Sequence, residues 1–150
     1  MHPTSPARVL ILAHKTADSP HLIDAVKHRA AAGSCRFTLL VPTSPHGLHR
    51  VMDPEDHGIP EAEVRLSAAL PLLSRAAGSD VDGIVGAHEP LAAVQDALNL
   101  LGFDEVIVST LPARLSRWLE LDLPRKISAL GVTVTTVTKV ESSINGRPAA

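Results

Sequence analysis

Runs in which every position is apolar recur along this chain, separated by stretches with an apolar residue every three or four positions. Arg8 to Ala13 (RVLILA) is apolar on both faces, the pattern of a strand covered on both sides in a parallel sheet. Asp18 or Ser19 can cap a helix with Pro20 in its first turn. That helix carries Leu22, Ile23, Val26 and Ala30 on one stripe and is stopped by Gly33. Arg36 to Val41 (RFTLLV) repeats the strand pattern. A helix follows from Pro60 to about Ala77, in which Pro71 should kink the backbone or remove one hydrogen bond.

Val81 to Ala87 (VDGIVGA) predicts a third strand. Pro90 then opens a helix that buries Leu91, Val94, Ala97, Leu98 and Leu101. Glu105 to Ser109 predicts a fourth strand and Val132 to Thr138 (VTVTTVT) a fifth, with a helix capped by Asp122 between them. The fifth alternates valine with threonine, which suits a sheet edge with a wetter face or a second subunit beside it. Strands alternating with helices, joined by right-handed crossovers, make an α/β doubly wound parallel sheet of five strands with helices on both faces. One domain over residues 1–141 is expected, followed by a loose tail at 142–150.

Composition narrows the partners. Aromatic residues make up only 2% of the 150 positions, so the core must be aliphatic. The net charge of -2 supplies no basic field, and no aromatic residues alternate with Arg or Lys, so nucleic acid is not an expected partner. No apolar run approaches bilayer-spanning length and no leader pattern opens the chain, so neither a membrane nor export is expected, and the location should be cytoplasmic. Cys35 stands alone at a strand start, where a small buried thiol is the simplest reading.

Two stretches resemble the universal stress protein family: IVGAHEPLAAVQDAL (Ile84 to Leu98) and FDEVIVSTLPARLSRWLELDLP (Phe103 to Pro124), with its Leu-Ser-Arg at Leu115, Ser116 and Arg117. The resemblance runs from the first strand to the fifth. It implies strand order 3-2-1-4-5, a role in stress response, and homodimers built through the fifth strand, here Val132, Val134 and Val137. Nucleotide-binding members of the family use an Asp at the end of the first strand and a loop patterned Gly, two residues, Gly, nine residues, Gly, Ser or Thr. Such glycines let backbone N–H groups turn inward onto phosphates.

Here His14 stands at the Asp position, Ser109 at the first glycine and Pro112 at the second. After one deletion, Leu121 and Asp122 stand at the last pair. Proline offers no N–H, and a carboxylate ~4 Å from a phosphate charge costs about 4 kcal/mol at an effective dielectric near 20. ATP binding is therefore not carried over. No cofactor is expected, ATP or AMP being the alternative occupant.

Doubly wound sheets bind ligands beyond the C-terminal ends of their strands. That end should gather His14, Lys15, Val41, Gly86, His88, Ser109 and Thr110, with Arg114, Ser116 and Arg117 on the following loop. Two arginines, two hydroxyl side chains and a lysine could bind a small anion or a differently posed nucleotide. The competing reading has Arg114 and Arg117 as solvated charges, with Leu115, Trp118 and Leu119 packing the turn down.

His46, His49 and His57 crowd with Asp53, Glu55 and Asp56 into one Pro- and Gly-rich loop. Zinc or nickel could share them, but no helix fixes their geometry, and no metal is expected. His21 and His28, two turns apart on the first helix, read as surface positions. No Gly-x-Ser-x-Gly elbow, phosphate-binding Gly-x4-Gly-Lys loop or His-Glu-x-x-His motif occurs, so an enzyme is not the expectation. The leading expectation is a regulatory or binding module without ATP, with an unidentified partner. The alternative is a nucleotide or small-anion binder using the crevice between the first and fourth strands, and weak nucleotide hydrolysis would depend on it.

Overall fold

The computed structural model describes residues 6–43 and 58–139. His46, His49 and His57, and the tail expected at 142–150, lie outside the described residues. Five strands form one parallel sheet in the order β3-β2-β1-β4-β5: β1 (Ala7–Leu12), β2 (Cys35–Pro42), β3 (Asp82–Gly86), β4 (Glu105–Thr110) and β5 (Thr133–Thr138). Between them run α1 (Pro20–Ala32), α2 (Gly58–Ala77), α3 (Pro90–Leu100), and, after β4, a 3-10 turn (Ala113–Leu115), α4 (Arg117–Glu120) and α5 (Leu123–Ser128).

The two-faced apolar runs explain the layers. Along β1, Val9 and Ile11 point into a core with α1 and α2, containing Val26, Phe37, Leu39 and Leu73. Leu10 and Leu12 point the other way, into a core with α3 and α5, containing Leu40, Val94, Val106, Val108 and Ile127. A strand period of two places successive side chains in opposite layers, so every residue from Val9 to Ala13 is buried. Each such side chain contributes about 1.5–3 kcal/mol on removal from water.

Two glycines of β3 allow this close packing. A Cβ on Gly86 would lie 2.8 Å from Ala93 Cβ and 2.8 Å from Leu40 Cδ1, and one on Gly83 would lie 2.8 Å from Leu66 Cδ1.

Pro71 lies on the exposed side of α2, and the helix runs through it with one backbone donor fewer, since proline has no N–H. Two local expectations change. Asp122 stands at the start of α5 without making a side-chain cap; it is left-handed (φ 59°, ψ 39°), and its carboxylate turns back to Arg125, 3.2 Å away. Leu115, expected to pack its turn down, is 56% exposed.

β5 is the sheet's edge, paired only with β4 among the described residues. Val134 and Val137 are half-buried against the two cores, while Thr133, Thr135, Thr136 and Thr138 are exposed. Val132 precedes the strand and packs with the α3/α5 core.

Candidate functional site

The chain leaves β1 for a helix on one face and β4 for helices on the other. The two connections therefore diverge beyond neighbouring strands and open a crevice between them, as at the switch point of other doubly wound sheets. This crevice holds about 580 Å³. His14, Lys15 and Thr16 line it from the end of β1, Pro42 and Thr43 from β2, and His88, Glu89 and Pro90 from the turn before α3. Ser109, Thr110 and Leu111 come from β4, and Leu115, Ser116, Arg117, Trp118 and Leu121 from the segment beyond it.

Of the residues expected from the sequence, seven share this lining: His14, Lys15, His88, Ser109, Thr110, Ser116 and Arg117. Val41 is fully buried in the core beneath it, and Gly86 packs against Ala93 and Leu40. Arg114 is exposed on the 3-10 turn outside the lining. The crevice also includes residues the sequence did not single out, notably Thr16, Glu89 and Leu111. Pro42, Pro90, Leu111, Leu115, Trp118 and Leu121 give it a largely apolar wall. Trp118 is half-buried against the α3/α5 core, as an anchor, and also faces the crevice.

The polar lining is mostly engaged with the protein itself. Ser116 is buried and accepts the Leu119 N–H at 3.1 Å, capping α4. Glu89 caps α3, accepting from Ala92 N at 2.8 Å and Leu91 N at 3.4 Å, so a carboxylate already occupies the donors of that helix start. Thr110 Oγ1 donates to Thr138 Oγ1 at 3.3 Å. The lysine and arginine in the lining, Lys15 and Arg117, are both exposed.

Beneath the β1 side lies a compact hydroxyl–imidazole group. Ser109 Oγ is 2.5 Å from Thr16 Oγ1 and 3.5 Å from His21 Nε2. Ser19 Oγ is 2.8 Å from His21 Nδ1 and donates to the Thr16 carbonyl at 2.8 Å. His21 is thus half-buried, correcting the expectation of a surface residue. Burial pushes its pKa below the ordinary value; the nearby Lys139 charge acts in the same direction, and the Val137 carbonyl, which can accept from the charged ring, acts against them. No signal in the spacing of His21 marked it, because its partners come from a loop and from a strand 88 residues away.

No group of three His, Cys, Asp or Glu among the described residues could hold a metal ion. No helix among them is long and apolar enough to cross a membrane.

Strand order, two-layer helix cover and a crevice at the switch point define a doubly wound α/β domain. Solved structures that share this fold include universal stress proteins. One, from Archaeoglobus fulgidus, superposes with TM-score 0.63 at 12% identity, over 87% of this chain and 93% of that one. A structure of the universal stress protein from the same organism in complex with dAMP gives 0.61 at 13%, over 89% and 98%. A universal stress protein family protein from Arabidopsis thaliana with AMP bound gives 0.57 at 12%, over 92% and 95%. The fold is that of the universal stress proteins. No protein-family model matches the sequence, and no curated protein sequence matches it either.

Proposed function

We propose that this protein is a regulatory binding module of the universal stress type. In this reading its crevice takes a small ligand with a flat apolar body and one anionic end, the class of the nucleoside monophosphates. It does not hold ATP through a glycine-lined phosphate loop. The observation that carries the proposal is the lining itself: an apolar wall around Trp118, with Lys15 and Arg117 at the polar side.

Two exposed cations suit one phosphate better than three. Glu89 sits in the lining and at the start of α3, where it competes with further negative charge. Between Gly102 and Gly131 there is no glycine to let backbone N–H groups approach a phosphate chain. The dAMP and AMP held by proteins of the same fold support the ligand class.

Calorimetry with AMP, ATP and inorganic phosphate tests this. AMP should bind, ATP should bind no more tightly, and Arg117→Ala should weaken AMP by about tenfold, the loss of one charge-assisted contact. ATP binding far more tightly than AMP, or an Arg117→Ala variant indistinguishable from the parent, would sink the proposal.

A second element of the reading is self-association through β5. Its outer edge is unpaired among the described residues, and its threonine-rich surface can accept another strand. Sedimentation of a Thr135→Pro variant should show monomer where the parent shows dimer, since proline cannot donate across such an edge.

A further inference from the structure

We propose that His21 is a positioning residue that decides whether the hydroxyl pair Thr16–Ser109 presents the crevice with a hydrogen-bond acceptor or a donor. The inference rests on the crevice being the ligand site, and it adds how that site chooses the charge of its occupant.

Counting protons fixes the arrangement. Ser19 Oγ has one proton, and the Thr16 carbonyl at 2.8 Å can only accept it. Toward His21 Nδ1, at 2.8 Å, Ser19 must then accept, so the neutral ring carries its proton on Nδ1. Nε2 is left as an acceptor, and the hydroxyl facing it at 3.5 Å is Ser109. With its own proton directed to the ring, Ser109 accepts from Thr16, 2.5 Å away. Both hydroxyl protons point inward, away from the crevice. What the pair offers an occupant is a lone pair, which suits an N–H or O–H and repels an oxyanion.

A proton on Nε2 inverts this. The ring now donates from both nitrogens, to Ser19 on one side and to Ser109 or the Val137 carbonyl on the other. Ser109 loses its acceptor. Whether Ser109 or Thr16 turns, one hydroxyl proton of the pair is left to point into the crevice that both residues line. An oxyanion there can accept it. The long 3.5 Å contact, weak by hydrogen-bond standards, keeps the rearrangement easy.

Anion binding at this point should therefore take up a proton, and by linkage it should raise the pKa of His21. The charged group facing the ring from β5 is Lys139, which opposes its protonation. Ser109 and Thr16 bring no charge from β4 and the β1 loop. Lys15, Asp18 and Asp24 are the ionisable neighbours on its own segment, and on α2 Glu61 pairs with Arg65 at 3.1 Å. His14 and His88 also line the crevice with imidazoles of their own, so a bulk affinity profile cannot isolate His21.

Imidazole nitrogen NMR resolves it residue by residue, with inorganic sulfate as the probe because its charge is constant from pH 5 to 8. In the ligand-free protein at high pH, His21 should be the Nδ1–H tautomer. Saturating sulfate should raise its pKa by about one unit, equivalent to about tenfold tighter sulfate on the protonated form. Ser109→Ala should abolish that rise while leaving the responses of His14 and His88. Thr16→Val serves as a second variant with a smaller rise than the parent.

A neutral ring protonated on Nε2 overturns the proposal, as does a sulfate-induced rise that survives Ser109→Ala. Sulfate or AMP that binds by calorimetry while the titration of His21 stays unmoved overturns the coupling and leaves the crevice as a ligand site. A crevice that takes neither overturns both.

Discussion

The two ends of the sheet are closed by different chemistry. At the N-terminal end, charges are paired: Arg29 of α1 grips Glu105 of β4 with two bonds, 2.7 and 2.9 Å, each side chain about a quarter exposed or less. Beside it, Arg8 donates its backbone N–H to Asp104 at 2.9 Å and its guanidinium to the Leu101 carbonyl at 2.6 Å, and it stacks 5.4 Å above the Phe103 ring. At the C-terminal end, the link between β1 and β4 runs through neutral hydroxyls and an imidazole. A fork of fixed charges holds one geometry and has little left for a visitor. Hydroxyls that each donate once and accept twice can change partners, so the end held by weaker bonds is the end free to rearrange.

Substitutions can test that contrast. The largest effect is expected where the C-terminal end is packed rather than bonded: Gly86→Ala pushes a methyl against Ala93 and Leu40 and should cost about 2 kcal/mol in urea denaturation. Gly83→Ala meets only the end of the flexible Leu66 side chain and should cost less.

Next comes Arg29→Ala, at about 1.5–2 kcal/mol, because it strands a half-buried carboxylate. The pair also has a pH signature. The Arg29 hydrogen bond holds the Glu105 carboxyl below its ordinary pKa, outweighing burial, which acts the other way. Its contribution is complete above the unfolded pKa and is lost as pH falls through the lower, folded one. Arg29→Ala should flatten stability against pH in that acidic window. An unchanged slope there would mean the N-terminal end is not held by this charge pair.

At the other end, Thr16→Val should cost about 1 kcal/mol, one neutral buried hydrogen bond. The depressed pKa of His21 implies that stability at this end is present above pH 6.5, the ordinary histidine value, and declines as pH falls below it. The smallest effect on stability is expected from Arg117→Ala, which should leave the denaturation midpoint within experimental error while changing ligand affinity. If Thr16→Val were as costly as Arg29→Ala, the distinction between a clamped end and an adaptable one would fail.

Much of the fold was legible because the strands are buried on both faces: RVLILA and RFTLLV admit few other readings. Their order in the sheet is not written in any one strand's periodicity; it came with the family resemblance, and the observed order is the same. Chain direction placed His14, Lys15, His88, Ser109 and Thr110 at one end, and they do meet around the crevice.

What escaped was side-chain direction. Asp122 looked like a helix cap, but its left-handed backbone turns the carboxylate away from the free donors of α5. Glu89, unremarked in the sequence, makes the carboxylate cap at the crevice. Cys35 is half-buried at the start of β2, close to its expected place, and burial raises its thiol pKa. His21 was read from its helix position alone, whereas its partners arrive through tertiary structure.

The pairing of β1 with β4 also has a consequence in time. Val9 lies opposite Glu105, and Leu12 opposite Val108, so the central seam joins segments 96 residues apart. During synthesis, β1, β2 and β3 can associate early, but the crevice has only one bank until the fourth strand emerges. On the proposed function, a ligand of the crevice would stabilise only the last step of folding, not its first half. A nascent chain stalled before Thr110 would expose the Leu10–Leu12 face to chaperones, with no binding site yet made to shelter it.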